Sequence, residues 1–134
     1  MSLSLLTLAL LAAPSAAACP ASERVYDSAP RDPNADPVHG FWYRNADRTL
    51  WAVVPKDGWR VGRNKSYWVR PPGTTLTIAG RRIGADPTPL RARIPCCYPT
   101  GFQIVGLDFP AKGCWEVSAT AGRSALVFVT EVKP

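Results

Sequence analysis

Between residue 74 and the C-terminus, several runs of apolar and polar residues alternate with a period of two. Leu76 and Ile78 share one face, with Thr75 and Thr77 on the other, until Gly80 releases the run into Arg81 and Arg82. Leu90, Ala92 and Ile94 alternate with Arg91 and Arg93. A period of two describes a strand with one buried and one wet face. The same pattern predicts strands over 101–109, 114–120 and 124–132. Over 114–120, Trp115 and Val117 fall on one face and Cys114 and Glu116 on the other. With Trp115 in a core, Cys114 faces outward. The predicted core comprises Leu76, Ile78, Leu90, Ala92, Ile94, Trp115, Val117 and Phe128.

The pattern is less regular upstream. Phe41-Trp42-Tyr43-Arg44 and Leu50-Trp51-Ala52-Val53-Val54 flank the polar stretch 45–48, which is a hairpin signal. Trp59-Arg60-Val61 and Ser66-Tyr67-Trp68-Val69-Arg70 flank a predicted turn, Gly62-Arg63-Asn64-Lys65. Fourteen prolines and ten glycines are dispersed between these runs, and no amphipathic helix of useful length follows residue 18. Many short strands closely spaced by turns predict an all-β sandwich.

The N-terminus breaks the alternation. Residues 1–18 form an uncharged Leu/Ala run that ends in Ala16-Ala17-Ala18 before Cys19. That is a signal-peptide pattern, and the apolar block is too short for a permanent membrane span. The chain is therefore expected to be exported. Two processing routes are open. Small residues at Ala16 and Ala18 suit cleavage before Cys19, yielding a free periplasmic or secreted protein. The same tetrapeptide resembles a lipobox, which makes Cys19 a lipidation candidate and an outer-membrane anchor. Residues 19–39, with Pro20, Pro30, Pro33 and Pro37 in a polar background, are expected to form an extended tether. The sandwich is expected over 40–134.

Charge adds a bias toward anionic partners. Sixteen Lys and Arg oppose ten Asp and Glu, giving a formal charge of +6, and twelve of the cations are arginines. Export disfavours nucleic acid and leaves lipid headgroups, envelope polymers or proteins. The four cysteines are expected to be oxidised. With Cys19 lipidated or on the tether, Cys114 has Cys96 or Cys97 as its partner. A short loop of that kind is worth about 3 kcal/mol in the chain-entropy model. A vicinal Cys96–Cys97 bond is the competing reading. No zinc-ligand spacing occurs, so neither metal nor cofactor is expected.

At Gly113-Cys114-Trp115-Glu116-Val117 a resemblance emerges. With Gly101-Phe102-Gln103, Gly106-Leu107-Asp108-Phe109-Pro110 and Leu126-Val127-Phe128-Val129, this stretch resembles the C-terminal half of small exported bacterial proteins. Those proteins have an immunoglobulin-like β-sandwich, and some are lipoproteins. Phe41-Trp42-Tyr43-Arg44-Asn45, Leu50-Trp51 and Leu76-Thr77-Ile78-Ala79-Gly80-Arg81-Arg82 extend the likeness over residues 40–132. The resemblance implies an immunoglobulin-like antiparallel sandwich and an envelope setting. It carries over no catalytic residue.

Catalytic chemistry finds little support. His39 is the only imidazole, so any Ser-His or Cys-His system runs through it. Asp86, Asp108 and Glu116 are the carboxylates of an alternative reading, a small periplasmic hydrolase using Asp or Cys chemistry. The aromatic and basic first half is the stronger lead. Aromatic faces stack on sugars, and arginines hold anionic groups through paired hydrogen bonds. Trp59 and Trp68, beside Gly- and Arg-rich turns, are expected at the surface with Arg60, Arg63 and Lys65. Trp42 and Trp51 are expected in the sandwich core. The resulting expectation is a non-catalytic envelope binding or structural module.

Overall fold

The computed structural model describes residues 18–30, 37–85, 87–96 and 98–134. The leader reading, apart from Ala18, and the readings of Asp86 and Cys97 lie outside the described residues. Ten strands follow in order: β1 (Val25–Ala29), β2 (Val38–Arg44), β3 (Trp51–Val53), β4 (Trp59–Arg60), β5 (Gly62–Val69), β6 (Leu76–Arg82), β7 (Arg91–Arg93), β8 (Phe102–Phe109), β9 (Gly113–Ala121) and β10 (Ser124–Lys133). They form a six-stranded sheet ordered β1-β2-β3-β5-β8-β7 and a four-stranded sheet ordered β4-β10-β9-β6. The predicted all-β sandwich is therefore the fold. Neighbouring strands are antiparallel except β4 and β10, which pair in parallel through Val132 with Trp59 and Lys133 with Arg60. Among the described residues no helix is long and apolar enough to cross a membrane.

The predicted alternation sets the four-stranded sheet. Opposite pairs Leu76–Ala121, Ile78–Ala119 and Phe128–Val117 place every second side chain on the inner face. Gly122 makes the β9–β10 connection possible. It has φ of +59° at the first position of a two-residue turn, where glycine meets no Cβ penalty. Gly80 is bare for a different reason. A Cβ there would sit 2.8 Å from Leu90 Cδ2, so Leu90 occupies its place as the chain crosses to the six-stranded sheet.

The inner face of the six-stranded sheet brings Tyr43, Ala52, Trp68, Val105, Leu107 and Phe109 against Trp115, Val117, Leu126 and Phe128. Tyr43 stacks on Phe128, and Phe109 meets Trp115 edge to face. Of the predicted core, Leu76, Ile78, Leu90, Trp115, Val117 and Phe128 are buried, and Ala92 and Ile94 pack against them partly covered. Trp42 and Trp51 are buried elsewhere. They form a second cluster with Ala29 and Val69 on the opposite face of the six-stranded sheet.

Part of the segment expected to be a tether is strand, at Val25–Ala29 and from Val38 on. β1 pairs with β2 from Val25–Trp42 to Ala29–Val38. Before it, Ser22 N–H donates to the Val129 carbonyl, and Val129 N–H donates to Ser22 Oγ, both at 2.8 Å. Cys19 is disulfide-bonded to Cys114 across 95 residues of sequence. Residues 19–29 thus clip onto β9 and β10 before entering the other sheet. Composition misled here because an edge strand tolerates the polar and proline-rich neighbours that also mark a linker.

Candidate functional site

The outer face of β5, β8 and β7 carries a cationic cleft. Register places Arg63 opposite Asp108 and Asp108 opposite Arg91. Two residues along, Lys65 lies opposite Gly106 and Gly106 opposite Arg93. The four cations are exposed and Asp108 is half-buried. Two adjoining clefts of about 440 and 520 Å³ share Arg63, Arg93 and Gly106. The first volume falls within the roughly 300–1,000 Å³ usual for small-molecule sites, whereas the second cleft is a shallow, open surface. The wall beyond Gly106 becomes apolar at Ile104 and Pro95. Tyr67, paired in register with Ile104, is partly exposed and stacks on Phe102 at 5.9 Å.

The local sequence explains this clustering. Alternation on β7 turns Ala92 toward the core and both flanking arginines outward. On β5, Ser66 and Trp68 point inward, so Arg63, Lys65 and Tyr67 share the outer face. β8 lies between and supplies Gly106, a gap in the row of side chains. The two ion pairs within 4.0 Å among the described residues are Arg44–Asp27 and Arg81–Glu116, and neither belongs to the cleft. Four cations around one carboxylate make a local field that attracts anions.

Arg63 and Lys65, two of the five residues expected at a binding surface, stand in the cleft. The other three do not. Trp59 is 1% and Trp68 0% exposed, and both belong to the sandwich core. Trp68 Nε1–H donates to buried Ser66 Oγ at 2.9 Å. Arg60 lies on β4 in the other sheet and donates to the Pro134 carbonyl at 3.0 Å. The expected turn over 62–65 is strand. Gly62, with φ of +89°, lets the chain leave one sheet and enter the other. Asn64 fixes that crossing, accepting from Arg60 N–H at 3.1 Å and donating to the Arg60 carbonyl at 2.8 Å. Arg91 and Arg93 were legible in the sequence as outward-facing, but their meeting with Arg63 and Lys65 depends on β8 pairing both strands.

The cysteine assignment is corrected. Cys114 bonds Cys19, with Cα atoms 5.4 Å apart, and not Cys96 or Cys97. Cys114 does face outward, and the N-terminal segment passes over that face. Cys96 is itself disulfide-bonded. A lipid thioether at Cys19 would need the same Sγ that this disulfide occupies.

The catalytic alternatives do not converge. Cys19, Cys96 and Cys114 carry no free thiol. Asp108 lies on the outer face of the six-stranded sheet, whereas Glu116 pairs with Arg81 on the four-stranded one. His39 faces Ser28 across β1 and β2, and Ser28 Oγ is hydrogen-bonded to His39 Nδ1 at 2.5 Å. The pair is exposed on an edge strand and lines neither cleft. Among the described residues no three His, Cys, Asp or Glu side chains gather as metal ligands. No protein-family model, no curated protein and no solved structure matches the chain.

Proposed function

We propose that this chain is an exported, non-catalytic binding domain that holds an anionic component of the cell envelope in the cleft of β5, β7 and β8. The observation that carries this reading is the pair of cross-strand rows, Arg63–Asp108–Arg91 and Lys65–Gly106–Arg93. They concentrate four cations around an open floor, with no ion pair among the described residues drawing them together. The apolar leader and the Cys19–Cys114 disulfide support export, since such bonds persist in oxidising compartments. Because the disulfide takes the Cys19 sulfur, the disulfide-closed form is proposed to be soluble and not lipid-anchored. The sandwich fits membership of the small exported immunoglobulin-like proteins that the sequence resembles.

A charge-matched comparison tests the site. The disulfide-closed protein is loaded on phosphocellulose, and the salt needed for elution is measured. Arg91→Glu with Arg93→Glu should lower it well below that of Arg48→Glu with Arg123→Glu, a pair outside the cleft with the same net change. Exposed charges act over about 8–10 Å at physiological salt, so position should matter. Equal shifts for both pairs would mean that total charge alone governs retention, and the cleft would lose its role.

A further inference from the structure

Gly106 is the least explained residue of the cleft. Gly80 and Gly101 are demanded by packing, since a Cβ would lie 2.8 Å from Leu90 Cδ2 and 2.5 Å from the Arg70 carbonyl oxygen. Gly122 is demanded by its positive φ. Gly106 meets neither demand. It lies mid-strand outside the positive-φ residues, and an added Cβ would meet only Arg93 Cβ, at an ordinary 3.6 Å. A glycine inside a strand weakens it and often marks a bulge, a bend, or close approach by another backbone or a ligand. The register through Gly106 is continuous on both sides. Among the described residues no other backbone comes within 4 Å of that point. The bare floor is therefore open to a ligand.

Asp108 narrows the ligand's chemistry. A receptor for a bare polyanion gains nothing from a carboxylate set between Arg63 and Arg91, because like charge repels the ligand. A carboxylate accepts hydrogen bonds and so favours hydroxyl groups. Two residues along a strand span about 7 Å, which separates the Asp108 row from the Gly106 row. That distance suits a sugar ring with an acid group on one side and hydroxyls on the other. Beyond Gly106, Ile104 and Pro95 offer an apolar wall for the C–H face of a neighbouring ring.

Resting on the cleft reading above, we propose that the ligand is an acidic glycan. Its acid group lies over Gly106 between Lys65 and Arg93, its hydroxyls donate to Asp108, and the next ring lies against Ile104 and Pro95. Specificity then comes from Gly106 and Asp108, and attraction from the four cations.

The test titrates the disulfide-closed protein with trigalacturonate, a heparin hexasaccharide, inorganic polyphosphate and phosphatidylglycerol vesicles. Trigalacturonate or the hexasaccharide should bind. Gly106→Val should weaken that binding at least tenfold and Gly106→Ala less, with thermal midpoints at or above that of the parent. The alanine variant keeps the test valid if valine disturbs the strand. Asp108→Asn should weaken glycan binding about fivefold or more while leaving polyphosphate binding unchanged or stronger. Failure of both glycans to bind would overturn the proposal, as would an Asp108→Asn variant that binds glycan and polyphosphate equally more tightly. Vesicle binding that depends on Arg91 and Arg93, without glycan binding, would overturn it and leave the anion-binding function standing. If binding of every probe is indifferent to Arg91→Glu with Arg93→Glu, the cleft reading itself falls.

Discussion

The outer face of the six-stranded sheet is finished in two ways. Toward β1, β2 and β3 it is closed: Trp42 and Trp51 meet edge to face at 6.0 Å and are buried with Ala29 and Val69. Arg44 lies over the Trp51 ring at 5.5 Å, and its Nε is 3.3 Å from Asp27 Oδ2. That pair has ion-pair distance without hydrogen-bond alignment. Toward β5, β8 and β7 the same face is open, with four cations around Gly106, and among the described residues only Lys65 of the four lies over an aromatic ring, Tyr67 at 5.9 Å. The arginine at the closed end is held by its neighbours, while those at the open end stand without an ion-pair partner among the described residues. Counting arginines cannot separate the two ends. Asking what each guanidinium already touches does.

The largest expected effect breaks the sequence-based view of Trp68. Trp68→Ala and Trp115→Ala should each destabilise the domain by about 3–5 kcal/mol, the usual cost of a large aromatic removed from a core. Chemical denaturation measures this. A loss under about 1 kcal/mol for Trp68 would return it to the surface and reopen a binding role for it. The same experiment on Tyr67, stacked on Phe102 at the seam between the two ends, should cost about 0.5–1.5 kcal/mol.

The disulfide gives the next effect. Cys19→Ser or Cys114→Ser should each cost about 2–5 kcal/mol, since the bond closes a loop of about 100 residues. The double variant should cost no more than either single one, because both remove the same bond. Unequal single costs, with Cys19→Ser silent, would show that Cys19 is engaged elsewhere and restore the lipid-anchored form. Incorporation of a palmitate analogue checks this directly: the parent should remain unlabelled.

The strands of the second half were legible because each carries its own evidence. The faces of Leu76 and Ile78 and of Trp115 and Val117 follow from local alternation. What failed needed information from distant sequence. Gly62 looked like a turn residue between two strands of one sheet, but its positive φ moves the chain between sheets. That shift turned Ser66 and Trp68 inward and Tyr67 outward, reversing the expected exposure of Trp68. The partner of Cys114 was hidden for a similar reason: 95 residues separate it from Cys19, in a segment whose composition resembles a linker. Arg63 and Lys65, two of the four cleft cations, were expected at the surface, where they lie. The other two were seen as the wet side of a strand without the topology that places them beside this pair.

The smallest expected effect sharpens the comparison most, because it predicts opposite signs. Arg81 on the four-stranded sheet has a partner, with Nε 3.1 Å from Glu116 Oε1. Its side chain is largely exposed, so Arg81→Gln should lower stability by at most about 1 kcal/mol. Arg93 faces Lys65 across Gly106, with backbones roughly 10 Å apart at two strand spacings. At low salt like charges at that separation are only partly screened. Arg93→Glu should therefore raise the thermal midpoint slightly, and about 1 M salt should erase the gain. Sites kept for binding commonly leave stability unrealised in this way. A midpoint lowered by Arg93→Glu at low salt would show that Arg93 is a structural residue like Arg44. The open end of the sheet would then be a second closed one, and the anion site would have to be sought elsewhere.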